Sequence, residues 1–91
     1  MQLSRNPDVC AAELDGEVCL FHPDTAEYLN LNATGSSIWN LLETPTKREA
    51  LLNQLLALYA VEESTCRSET EAFLAVALEH GMLLEQPAVA A

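Results

Sequence analysis

Positive charge is scarce in this chain. Only Arg5, Lys47, Arg48 and Arg67 carry it among 91 residues, against 14 Asp and Glu, for a formal net charge of -10. Binding a phosphate backbone needs clustered Lys and Arg that release counterions. No such cluster is present, which argues against nucleic acid and anionic membrane surfaces as partners. The acidity instead favours solubility or a basic partner. Glycine is nearly as sparse, at Gly16, Gly35 and Gly81 only, so no glycine-rich phosphate loop can form. The three cysteines, Cys10, Cys19 and Cys66, are odd in number and contain no CxxC pair, which excludes a disulfide framework. His22 and His80 do not stand at metal-ligand spacing with them, so no zinc site is expected. Cys66 neighbours Arg67, but a buried, inert thiol is the commoner case. No apolar run approaches the ~20 residues of a membrane span. The opening MQLSRNPDV lacks the apolar stretch of a signal peptide, and a cytoplasmic location is expected.

What is present is apolar: 49% of residues are hydrophobic and 20% charged, the balance of a folded unit. The length suits one domain, read over residues 1–85, with a frayed tail over 86–91.

The first third alternates like strands. Asp8–Leu14 and Glu17–His22 flank Asp15-Gly16, a tight-turn dipeptide. A two-residue turn sets Leu14 opposite Glu17, Ala12 opposite Cys19 and Cys10 opposite Phe21. Pro23-Asp24-Thr25 makes the next turn, and Glu27–Leu31 the third strand, with Leu29 and Leu31 facing one way and Tyr28 and Asn30 the other.

Three helices follow. Asn32 is a suitable N-cap for the first, whose stripe is Ile38, Leu41 and Leu42, and Thr44-Pro45 ends it. Thr46 and Glu49 form a capping-box pattern before Leu52, Leu55, Leu56 and Tyr59. The third helix starts at Ser64 or at Ser68 with Glu71, presents Phe73, Leu74 and Ala77, and stops at Gly81. Met82-Leu83-Leu84 reads as an extended segment packing back. A small antiparallel three-stranded sheet followed by three helices is α+β, close in outline to a winged helix.

Catalytic groupings do not emerge. Ser36 and Ser37 have no histidine near them in sequence; His22 and His80 read as solvated or capping residues. Glu62-Glu63 reads as a solvated pair and Trp39 as core. The third strand has one neighbour in sequence order, so its other edge is open. An open edge is a liability unless covered or used, and one use is to accept a peptide as an added strand. The small or apolar Ala72, Ala75 and Val76 on the third helix would wall such a groove.

The segments Asp15-Gly16-Glu17-Val18, His22-Pro23-Asp24-Thr25, Tyr28-Leu29-Asn30-Leu31-Asn32, Ala33-Thr34-Gly35, Ile38-Trp39-Asn40-Leu41-Leu42, Phe73-Leu74 and Gly81-Met82-Leu83 occur in one order and spacing. In this series Leu14 to Leu84 resembles the PqqD-like family, also called the RiPP recognition element. The resemblance implies a winged-helix-like fold without catalysis or cofactor. It implies that the leader segment of a ribosomally made precursor peptide docks as a fourth strand, and that the domain presents it to a modifying enzyme, either a radical SAM enzyme or the leader peptidase of lasso-peptide synthesis. Carried over by position, the receiving strand is Glu27, Tyr28, Leu29, Asn30 and Leu31, and the opposite wall is Glu69, Ala72, Phe73 and Val76. The family often has charged residues where this chain has Ala75, Val76 and Leu78, and a larger aliphatic residue at Ala77, where Met82 could fill the space. Two other functions share the outline: a subunit that only stabilises an enzyme, and a winged-helix DNA-binding regulator, whose recognition helix would have to be basic. The open edge also admits a homodimer.

Overall fold

The structure is a computed structural model that describes residues 2–86. Strands β1 (Gln2–Arg5), β2 (Cys10–Leu14), β3 (Glu17–His22) and β4 (Glu27–Asn30) precede helix α1 (Ala33–Leu41). Strand β5 (Thr46–Lys47), helices α2 (Arg48–Leu58) and α3 (Glu63–Glu79), and strand β6 (Leu83–Gln86) complete the order.

The strands form two antiparallel sheets, β2-β3-β4 and β5-β1-β6. The first is the expected meander. Asp15 and Gly16 both take positive φ, 55° and 83°, as a type I′ hairpin turn requires. The register follows, with Leu14 opposite Glu17, Ala12 opposite Cys19 and Cys10 opposite Phe21. The expected strand from Asp8 is shorter: Asp8 N–H bonds the Asn6 side chain, and pairing starts at Cys10.

The second sheet is an addition to the expected fold. β1 pairs with β6 from Gln2 opposite Gln86 to Arg5 opposite Leu83, and with β5 through Leu3 opposite Thr46. Met82-Leu83-Leu84 thus packs back as extended chain, and β6 runs on through Gln86, the first residue of the tail expected to fray; residues 87–91 lie outside the described residues.

Helix ends divide between expected and corrected. The Asn32 side chain accepts from Gly35 N–H at 2.8 Å and caps α1. Gly81, at φ 71°, closes α3: its N–H reaches Leu78 C=O and Met82 N–H reaches Ala77 C=O, the paired bonds of a Schellman motif. Thr46 does not cap α2. Its hydroxyl donates to Thr44 C=O while its backbone joins β5, and Lys47 takes the cap position. Neither Ser64 nor Ser68 starts α3, because helical backbone already begins at Glu63.

Both sheets and all three helices meet in one core, where Leu3, Leu20, Ile38, Leu51, Leu74, Met82 and Leu83 are closed to solvent. Burying each such side chain contributes about 1.5–3 kcal/mol. Trp39 is in this core, and Arg5 lies over its ring at 4.7 Å while donating two bonds to its carbonyl, at 2.9 and 2.7 Å. Ala77 and Met82 are both fully buried there. His22, read as solvated, is buried, with its ring against Gly81. Among the described residues no helix is long and apolar enough to cross a membrane.

Candidate peptide-binding groove

β4 is the last strand of its sheet. Its hydrogen-bonding phase follows from its exit. Leu31 N–H donates to Val18 C=O at 2.8 Å, so Leu31 faces β3. Bonding direction alternates along an antiparallel strand. Leu29 and Glu27 therefore also bond inward, and the N–H and C=O groups of Tyr28 and Asn30 point to the open edge. Leu31 itself lies just beyond β4, where Ser36 replaces the regular ladder: its hydroxyl accepts from Val18 N–H at 3.0 Å and donates to Leu31 C=O at 3.4 Å. This bridge turns the chain from strand into α1.

Side chains follow the opposite count. Glu27, Leu29 and Leu31 share the face turned toward the helices. α3 sends Cys66, Thr70, Leu74 and Ala77 into the core. One residue round the helix, Glu69, Ala72, Phe73 and Val76 stand at spacings of three and four, which is a second face of the same helix. Between that face and β4 lies a groove of about 490 Å³ lined by Leu29, Asn30, Leu31, Asn32, Thr34, Gly35, Glu69, Ala72, Phe73 and Val76.

Seven of the nine residues expected at a binding site thus come together here, and Glu27 and Tyr28 do not line the groove. Glu27 is engaged by the ring of His80, which stands exposed at the C-cap of α3 as the reading of a solvated or capping residue expects, and which reaches back to β4. The Tyr28 side chain stands on the outer face of the sheet, 72% exposed, its ring centroid 4.7 Å from that of Phe21. Its part in the groove is confined to its backbone.

Three lining residues were not foreseen as site residues: Asn32, Thr34 and Gly35. Gly35 is the informative one. A Cβ there would stand 3.1 Å from the Phe73 ring and 3.3 Å from Leu31 Cβ. Its bare backbone lets Phe73 settle against α1 as the groove floor. The one sequence signal was a glycine placed inside a helical pattern, where it costs about 1 kcal/mol relative to alanine. Of the uncharged positions noted on α3, Val76 lines the groove and Leu78 packs on the core.

The groove is mainly apolar, with Asn30, Asn32 and Thr34 in its lining and one carboxylate, Glu69, at its side. Two of the cations close to α3 are engaged elsewhere. Arg67 pairs with Glu49 and Glu63, and Arg48 with Glu71 and Glu85. The Arg67 guanidinium holds the Glu49 carboxyl below its ordinary value, and Glu49 raises Arg67 in turn. α3 therefore offers no basic face to nucleic acid. Among the described residues, no three or more His, Cys, Asp or Glu gather where they could hold a metal, and all three cysteines are free thiols. The arrangement can bond a backbone and bury alternate apolar side chains.

The family described as Coenzyme PQQ synthesis protein D (PqqD) matches residues 17–83. A solved structure of TbiB1 in complex with the TbiA(beta) leader peptide is 30% identical, with 93% of this chain and 99% of that chain covered and a TM-score of 0.81. A lasso peptide synthetase B1 complexed with the leader peptide is 24% identical, with 93% and 100% covered and a TM-score of 0.76, which shows a shared fold. A search of curated proteins finds no match.

Proposed function

The chain belongs to the PqqD family, and on that premise we propose that it is a non-catalytic carrier for the leader segment of a ribosomally made precursor peptide. The leader adds to β4 as a fourth strand. Its backbone bonds the outward groups of Tyr28 and Asn30, and its alternate side chains enter the groove against Leu29, Leu31, Ala72, Phe73 and Val76. The domain then presents the peptide to the enzyme that modifies it or removes the leader, a radical SAM enzyme or a leader peptidase.

The observation that carries this reading is the coincidence of an open strand edge with an apolar groove along it. Strand addition uses both at once: main-chain bonds supply affinity and the pockets select side chains. The leader peptide bound to TbiB1 supports it as well.

The test is an amide NMR titration of the domain with synthetic leaders of the small precursor peptides encoded in the same genome. Saturable shifts on Tyr28 to Leu31 and on Glu69 to Val76 are expected. Tight binding to the neighbouring enzyme, with no leader shifts at high excess, would replace this reading with that of an enzyme-stabilising subunit.

A further inference from the structure

The sheet that carries the groove has a second side. Residues directly opposite one another across β2, β3 and β4 share a face, and the register puts Cys10, Ala12, Leu14, Cys19, Phe21 and Tyr28 on one of them. The only polar positions there are Glu17 and Asn30. This is the side away from the core: Val18, Leu20 and His22 are buried behind it, while Leu14 is 75% and Tyr28 72% exposed. An antiparallel sheet with one face on a core ordinarily shows polar side chains on the other. A contiguous apolar patch on a soluble surface marks a place where a partner sits.

Charge decides which partner. Between Arg5 and Lys47 the chain has no Lys or Arg and seven Asp or Glu. The carboxylates frame the patch at both ends, with Asp15 and Glu17 at the β2–β3 turn, and Asp8 and Asp24 by the start of β2 and the β3–β4 turn. A second copy of the chain would bring the same acidic frame against this one, and like charges brought together disfavour it. A surface with an apolar centre and a Lys/Arg border fits.

We infer that this outer face is the docking site for the enzyme acting on the held peptide, and that the enzyme meets it with an apolar patch bordered by Lys and Arg. The inference rests on the carrier reading. The face adjoins the groove through Tyr28 and Asn30, whose side chains stand on it while their backbones form the open edge. An enzyme seated there is beside the leader without competing for the groove.

The test uses the whole chain and the peptide-modifying enzyme encoded beside it, mixed without leader and measured by calorimetry at 50 and 500 mM salt. The variant is Ala12→Lys with Leu14→Lys, both on exposed β2 and neither in the groove. The wild type should bind the enzyme, several-fold more weakly at high salt, and the double variant at least tenfold more weakly than wild type. Leader titration by NMR should be the same for both proteins. Equal enzyme binding by the two, or none by the wild type, overturns the inference. Should the double variant fail to fold, Leu14→Ser alone should weaken enzyme binding several-fold, and unchanged binding overturns the inference equally. Failure of the leader titration with enzyme binding intact and patch-dependent would sink the carrier reading and leave the docking face standing.

Discussion

The sheet β2-β3-β4 has two open edges, and of these β4 has the groove against α3 along it. β2 is exposed along its whole length and on both faces. β4 has the same free backbone groups, but α3 runs beside it and Phe73, Ala72 and Val76 make a wall and floor. A strand added to β2 would gain hydrogen bonds that water already supplies, worth about 0.5–1.5 kcal/mol each net. A strand added to β4 gains those and buries alternate side chains, at about 1.5–3 kcal/mol apiece. The difference between the edges is thus made by a helix packed across the sheet. Hydrogen bonding is common to both edges; burial selects between them.

The sharpest way to break this comparison is to put proline on each edge in turn. Asn30→Pro removes an outward N–H without touching the β3 ladder, a place where an edge strand tolerates proline. An unpaired leader carbonyl and the lost bond together should cost about 2–4 kcal/mol, so leader affinity should fall roughly 30- to 1,000-fold. Ala11→Pro is the matching change on β2, where the turn pairs Leu14, Ala12 and Cys10 inward and leaves Ala11 outward. It should leave leader binding unchanged. Equal losses at both positions would mean that the sheet as a whole, and not its β4 edge, holds the peptide.

Removing the wall while keeping the edge comes next. Val76→Asp puts a charge on a side chain already 40% exposed, so the fold should hold. Affinity should fall about 10- to 100-fold through the lost burial. Fluorescence anisotropy with a labelled leader would measure it, and a thermal melt superimposable on wild type would assign the loss to the groove.

A smaller effect should follow Gly35→Ala. The new Cβ stands 3.1 Å from the Phe73 ring and 3.3 Å from Leu31 Cβ, so one of these groove residues has to give by a few tenths of an ångström. A Phe73 pushed toward β4 narrows the groove, and leader affinity should drop a few-fold in the same assay.

The smallest effect belongs to neither edge and gives a baseline. Arg67 lowers the Glu49 carboxyl, and both are on the surface. A lowered carboxyl contributes stability above its unfolded value of 4.5 and loses it as pH falls through the folded value. Urea midpoints of Glu49→Gln and wild type should differ slightly at pH 7 and converge as the pH falls through the lowered folded value. Leader binding should not follow that difference.

Local signals told most of the sheet β2-β3-β4 and little of the sheet β5-β1-β6. Asp15-Gly16 determined a hairpin and its register because turn type and register are geometrically linked. Asn32 and Gly81 marked helix ends through caps that need no distant partner. β1 and β5 were missed because Leu3 finds Thr46 and Glu85 only after the chain has folded, and strands of two to four residues carry almost no periodicity, whereas Met82-Leu83-Leu84 was legible as extended chain and only its pairing with β1 was not. Thr46 shows the same limit: its capping pattern is real in sequence, yet a sheet contact claimed its backbone. In the groove, the resemblance supplied the β4 and α3 positions, whereas the closeness of Gly35 to Phe73 is a three-body packing fact. The Glu27–His80 pair joins residues far apart in sequence and had no local signature either.

The pairing of Gln2 with Gln86 brings two distant points of the chain side by side, and none of β1, β5 or β6 lines the groove. Facing Cα atoms on neighbouring antiparallel strands are only about 4.5–5.5 Å apart. A host protein could therefore receive this segment in a surface loop with little disturbance, its path leaving at one strand end and resuming at the next. The same closeness makes circular permutation practicable: a short linker from 86 to 2 and a new opening at the β2–β3 turn would leave β4 and α3 in place. The groove-bearing half is thus portable, and the sheet β5-β1-β6 serves as its socket.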